Sequence, residues 1–363
     1  MSRVKLGDVA REYKATVKDA SGLPIVGLEH LTPGEITLDR WDEGTENTFT
    51  KEFKKGQMLF GRRRAYLKKA ALAPFDGVCS GDITVIEAIP GKILPDLLPF
   101  IIQNDLLFDY AVGKSAGSLS PRVKWIDLKD YEFELPEISK QAPMVELLQA
   151  AHAARKAYKE LIQATDDLVK SQFIEIIEHA LPSSYVELSE VLTQYRTTEK
   201  IVDTRAEKYI SVPLYGRGIT ERDIGNDDIK SFTGIRIKTG QFIYSRIWAR
   251  KGASGIVPPE LNGAVVTNEF PVFDINTAKI DPCFLLFSVQ DERFLQQISV
   301  NSLGSTSKQR IKESAFLKYK ICLPPIAVQS AFSAMVEQSD KSKFELQQAI
   351  DRIDNLIKTL IQQ

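Results

Sequence analysis

Along two stretches of the chain, apolar and small side chains recur at alternating four- and three-residue steps. In 147–172 the stripe runs Leu147, Ala151, Ala154, Tyr158, Leu161, Thr165, Leu168 and Gln172. In 335–360 it runs Met335, Ser339, Ser342, Leu346, Ala349, Ile353, Leu356 and Leu360, at one constant displacement from the first. A spacing that averages 3.5 residues keeps one stripe on a partner helix, which predicts a coiled coil. Both stripes are narrow, whereas a helix laid on a globular body shows a wider apolar face. The two helices are therefore expected to pair with each other. The small residues Ala151, Ala154, Ser339 and Ser342 sit in the first half of each stripe and bulky ones predominate later, so an antiparallel pairing sets small against large and keeps the separation even. The rest of the chain reads differently. Short β-rich runs (QMLFG, DITVIEAI, QFIYSRIWA, EFPVFDI) alternate with turn signals such as TPGE, PFDGV, GASG and PPELNG. Late in each such region comes a helical stretch, LLPFIIQNDLLFDYAV and FLLFSVQDERFLQQISV.

These regions repeat one another. RVKLGDVA at 3–10 resembles YVELSEVL at 185–192, and GQMLFGR at 56–62 resembles GQFIYSR at 240–246. CSGDITVI at 79–86 echoes VTNEFPVF at 266–273, and LPEISKQ at 135–141 matches LPPIAVQ at 323–329. The register drifts by a few residues in one direction, as small loop insertions would cause. The chain is thus a tandem duplication: an α+β protein of two mixed α/β globular domains, 1–143 and 181–325, separated by two long helices, 144–180 and 326–363, that pair as an antiparallel coiled coil.

Composition narrows the function. With 363 residues, 43% hydrophobic and 26% charged, the chain is an ordinary globular protein of more than one domain. No apolar run approaches the ~20 residues of a membrane helix, and MSRVKLGDVA lacks the core of a signal peptide, so a cytoplasmic location is expected. Cys79, Cys283 and Cys322 form no CxxC pair, which suggests neither a disulfide framework nor a zinc site. The net charge is −1, yet 51–69 holds eight basic residues against the single acid Glu52, and 236–251 holds five and no acid. One basic cluster is ordinarily a solvated face. Two at related positions of a repeat weigh against that reading.

No catalytic constellation accompanies them. The chain has no GxxxxGK[ST] phosphate loop and no HExxH, and His30, His152 and His179 fall in different elements. Leu323-Pro324-Pro325-Ile326 lacks the Asn and the aromatic of an amino-methyltransferase motif and is read as a stop before a helix. Neither a catalytic residue, a metal site nor a cofactor is predicted.

Several segments resemble the specificity subunits of type I restriction–modification enzymes. GQMLFGRRRAYLKKAALAPFDGVCSGDITVI at 56–86 looks like that family's Leu-Phe-Gly, basic stretch and Phe-Asp-Gly-Val-Cys-Ser run. SAGSLSPRVKWIDLKDYEFELP at 115–136 and SLGSTSKQRIKESAFLKYKICLPPIAVQ at 302–329 are similar to the segments that close its two target-recognition domains, and LVKSQFIEI at 168–176 to the end of its spacer helix. The region 187–228 carries little of the pattern. The resemblance implies that each globular domain is a DNA target-recognition domain for one half of a bipartite double-stranded site. It implies as partners two modification subunits, which methylate adenine, and motor-nuclease subunits, which join for cleavage, with no membrane. This chain would supply specificity and no catalysis.

Under that resemblance the residues expected to meet DNA are Arg62, Arg63, Arg64, Lys68 and Lys69 with intervening Tyr66, as a groove-facing ribbon. Their repeat counterparts are Arg246, Arg250 and Lys251 with Trp248, while Lys114, Arg122, Lys124, Lys308, Arg310 and Lys312 add backbone contacts. Two rival classes stay open at this stage. One is a self-contained DNA methyltransferase or nuclease of unfamiliar type, separable by methyl-donor binding. The other is a protein-interaction scaffold that binds no DNA, separable by salt-dependent duplex affinity.

Overall fold

In the computed structural model, which describes residues 2–43, 48–225, 230–300 and 310–362, the chain forms two compact units. The first comprises Met1–Leu161 with Glu345–Gln363, and the second Ile162–Phe344. The duplication is visible in their sheets. In the first unit Ala10–Glu12, Ile83–Ala88, Met58–Gly61 and Ala70–Leu72 lie side by side in that order, all antiparallel. In the second, Leu192–Tyr195, Val272–Ile275, Phe242–Tyr244 and Ser254–Ile256 repeat that order.

The central strand of each sheet is buried on both faces, which is why it reads as a continuous apolar run. Met58 and Phe60 enter the core shared with helices Leu98–Ile102 and Asp105–Gly113, whereas Leu59 enters a second core with Phe53, Cys79 and Val85. Phe242 and Tyr244 likewise face the core of Pro282–Gln290 and Glu292–Val300, and Ile243 faces away. The units diverge in the second sheet. The first unit has four strands there, Ala15–Thr16, Lys51–Phe53, Gly77–Cys79 and Ile25–Val26, the last of them parallel. The second has three, Glu199–Ile201, Phe232–Arg236 and Val265–Val266, within and after the stretch that lacks the family pattern.

Both predicted long helices form, Ile138–Glu178 and Ile326–Gln362. The first begins six residues before the expected 144 and runs through Pro143, whose missing N–H removes one bond without ending the helix. A buried glutamine anchors each helix at its start. Gln141 accepts the Leu94 amide at 2.7 Å and donates to the Pro136 carbonyl at 2.9 Å. Gln329 accepts the Asp281 amide at 2.9 Å and donates to the Pro324 carbonyl at 2.7 Å. Replacing Gln329 by Leu strands a buried amide and a buried carbonyl, which is expected to cost about 1–3 kcal/mol. Hydrogen exchange should show the Asp281 amide losing its protection in that variant; unchanged protection would refute the anchoring.

The pairing is antiparallel, and each unit holds one part of it. In the first unit Arg155 meets Asp354 at 3.2 Å, and Ile357 and Ile361 pack into the core that contains Val145 and Leu148. In the second unit Lys343 meets Asp166 at 2.7 Å, and Val169, Phe173 and Ile177 pack with Phe332 and Val336. The stripe differs from the expected one. Ala151 is buried, and Ala154, Tyr158, Met335, Leu346, Ala349, Ile353 and Leu360 are half-buried, but Leu147, Leu161, Leu168 and Leu356 are exposed. Their neighbours Leu148, Ile162, Val169 and Ile357 turn inward instead. The physical reason is a doubled signal: Leu147-Leu148, Leu161-Ile162, Leu168-Val169 and Leu356-Ile357 each offer two apolar residues, and the inner one continues to the large side chains Phe173 and Phe332.

Candidate nucleic-acid interface

In the first unit the basic stretch expected to face the groove follows Met58–Gly61 as a turn. Arg64 (φ 55°) and Lys68 (φ 52°) stand in the left-handed region on either side of the 3-10 turn Ala65–Leu67. Among the described residues only one other non-glycine residue, Tyr215, has positive φ. Such conformations cost about 1–3 kcal/mol each and gather at functional sites. The turn holds Arg64, Tyr66 and Leu67 in solvent.

Long-range backbone bonds fix its base. The Arg62 amide donates to the Asp82 carbonyl at 3.0 Å, and its carbonyl accepts the Val123 amide at 3.0 Å. Arg63 bridges to Arg122, and the Arg64 amide donates to the Pro121 carbonyl at 2.8 Å. Side chains converge in the same place. The Asp82 carboxylate accepts Arg122 Nε at 2.7 Å and Arg122 Nη2 at 3.2 Å, and Arg63 Nη1 lies 3.4 Å away. The hydrogen bond from Arg122 holds the Asp82 carboxyl below the usual carboxylate range against the opposing effect of burial, helped by the charges of Arg122, Arg63 and Arg62. Arg63 also donates to Ser120 Oγ at 3.0 Å.

The other expected residues of this unit take different places. Lys68 pairs with Asp105 at 2.6 Å, and Lys69 donates to the Leu28 carbonyl at 2.6 Å, so both face the fold. Lys114 lies over the Tyr110 ring, 5.6 Å from its centroid, at the end of Asp105–Gly113. Lys124 is exposed at the start of Trp125–Leu128.

The second unit builds the same base from its own residues. The Arg246 amide donates to the Glu269 carbonyl at 3.0 Å, and its carbonyl accepts the Ile311 amide at 3.0 Å. Arg310 Nε donates to Glu269 Oε2 at 3.0 Å. The 3-10 turn Ala249–Lys251 follows, closed by a left-handed Gly252 (φ 68°) where the first unit has Lys68. The exposed Trp248 ring carries Lys251 Nζ 5.4 Å from its centroid, a cation–π contact. Arg246 is clasped by Glu313, and half-buried Arg250 faces a cavity that Lys170, Phe173 and Tyr215 also line. Lys312 is exposed, and Lys308 lies outside the described residues.

Sequence reasoning missed the acids. Asp82 and Glu269 occupy the same place in the aligned segments CSGDITVI and VTNEFPVF, so the repeat itself contained the signal. Arg63 and Arg122 are 59 positions apart in the chain, and no local pattern joins them.

The fold of the chain recurs in solved structures. A chain from a study of complex assembly and conformational transition of the type I R-M system superposes with TM-score 0.60, at 18% identity, over 99% of this chain and 96% of that one. The S subunit of a type I restriction-modification system from M. genitalium gives 0.57 at 12% identity, over 99% and 96%. The chain has the fold of a type I S subunit. Sequence adds a local match: the Escherichia coli type I restriction enzyme EcoDI specificity subunit is 26% identical over 124 residues, or 33% of this chain. That match spans about a quarter of the relative, 27% of its length. No family model matches. The S-subunit fold agrees with the α+β architecture and the paired helices expected from sequence. Among the described residues no helix is long and apolar enough to cross a membrane, and no group of His, Cys, Asp and Glu is arranged to hold a metal.

Proposed function

We propose that the chain is the non-catalytic DNA-reading subunit of a type I restriction–modification enzyme. Each unit reads one half of a bipartite double-stranded site, and the bound complex directs adenine methylation, and cleavage, by partner subunits. The observation that carries this reading is the recurrence, in two units whose main sheets share one strand order, of an arginine-bearing turn tied to an acid and a later arginine. In each unit that base supports exposed basic and aromatic side chains, Arg64 and Tyr66 in one and Trp248 and Lys251 in the other. Basic groups fix a reader on phosphates, and side chains held on a firm scaffold read base edges. Two modification subunits dock on the long helices, for which the exposed Leu147, Leu161 and Leu168 supply apolar surface. The complex works in the cytoplasm and needs no cofactor on this chain.

The test is sequencing of methylated adenines in the host with and without this gene. Deletion is expected to abolish methylation at one two-part motif. Persistence of every methylated motif, or methyl transfer by the purified chain alone, would overturn the reading.

A further inference from the structure

A carboxylate at the centre of a surface that attracts phosphate opposes binding, so Asp82 calls for a reason of its own. Its side chain is 18% exposed and holds two arginines from distant parts of the chain. Arg122 meets it with Nε and one N–H of Nη2, a two-point grip along one edge of the guanidinium. That grip leaves the N–H groups of Nη1 and the second N–H of Nη2 on the opposite side of a side chain that is 43% exposed. Two such N–H groups, side by side and rigid, match the paired acceptors O6 and N7 of guanine in the major groove. Lysine cannot present that fork. An unbraced arginine would lose torsional freedom on docking, a loss that the carboxylate has already exacted in the fold. Arg63, held between Asp82 and Ser120, closes the other side of the brace.

The second unit has one point of this grip, with Glu269 accepting Arg310 Nε at 3.0 Å. Glu269 follows Val265–Val266 and precedes Val272–Ile275, as Asp82 follows Gly77–Cys79 and precedes Ile83–Ala88.

We infer that Asp82 is a specificity-determining positioning residue that braces Arg122 to read the O6/N7 edge of a guanine, with Glu269 and Arg310 the counterpart in the other unit. This rests on the DNA-reading function proposed above. It assigns opposite signs to two affinities. Removing the carboxylate relieves repulsion of phosphate on any duplex, yet frees the arginine that distinguishes one base pair.

The experiment uses the complex purified from its host through a tag on this chain. Selection from a random duplex library, followed by sequencing, defines the wild-type preference. Affinities are then measured for the enriched duplex and for a shuffled duplex of equal length. In Asp82→Asn, discrimination at one guanine is expected to fall by roughly ten- to a hundredfold, while affinity for the shuffled duplex rises severalfold. Arg122→Lys keeps the ion pair and the charge, so it should lose the same base preference with shuffled affinity unchanged; it also decides the matter if Asp82→Asn does not fold. Wild-type preference at every position in Arg122→Lys, or equal gains on both duplexes in Asp82→Asn, overturns the brace and leaves DNA reading intact. Failure of the wild-type complex to enrich any sequence overturns DNA reading itself.

Discussion

Phe173→Ala is expected to lower the stability of the second unit by about 3–5 kcal/mol. The ring stands 5.3 Å from Phe284, 5.7 Å from Phe287 and 5.7 Å from Phe332, centroid to centroid. It therefore joins three elements at once: both long helices and Pro282–Gln290. Truncation removes the transfer free energy of the ring and leaves a cavity that three other rings cannot fill without moving. Leu168→Ala, five residues earlier on the same helix, should change stability by no more than about 0.5 kcal/mol, because its side chain is exposed. Urea unfolding of the two variants side by side measures the contrast. Equal losses, or a larger one at Leu168, would restore the seam expected from sequence.

The second large effect belongs to the basic turn. Replacing Arg62 and Arg63 by Ala and Arg64 by Asn removes three cations at once, and Asn tolerates the left-handed backbone that Arg64 adopts. If all three neutralise phosphates, the slope of log affinity against log salt flattens by about 2–3. Affinity then falls about a hundredfold at physiological ionic strength. The loss should extend to the shuffled duplex, on which Asp82→Asn gains affinity, and that separates the two variants. A titration series from low to high salt reads both quantities. Wild-type slope in the triple variant would return these arginines to an ordinary solvated face.

Much of this architecture was legible before the fold. The duplication showed in GQMLFGR and GQFIYSR because the same turn glycine and glutamine do the same work twice. Gly56 and Gly240 have φ of 84° and 83°, and Gln57 and Gln241 each return to the amide three residues before. The helices showed because a 3.5-residue rhythm has few other uses. The seam register was not legible, since adjacent apolar pairs such as Leu168-Val169 satisfy two heptad phases and only tertiary packing chooses between them. The turn in the basic stretch was not legible for a related reason: left-handed arginine and lysine carry no local mark as glycine would. Lys68 and Lys69 looked equivalent to their neighbours and are instead engaged by Asp105 and Leu28, partners that sequence does not bring near.

The division of the chain has a consequence for its birth on the ribosome. The second unit, Ile162–Phe344, is one continuous stretch and can close as soon as it has emerged. The first unit is begun first and finished last, because Ile357, Leu360 and Ile361 complete the core around Val145 and Leu148. At translation speeds of about 5–20 residues per second, that apolar strip waits roughly 10–40 s for its cover. During that interval the nascent chain carries an unfinished hydrophobic face. A messenger broken after the codon for Phe344 would yield a complete second unit and a first unit held permanently at this stage.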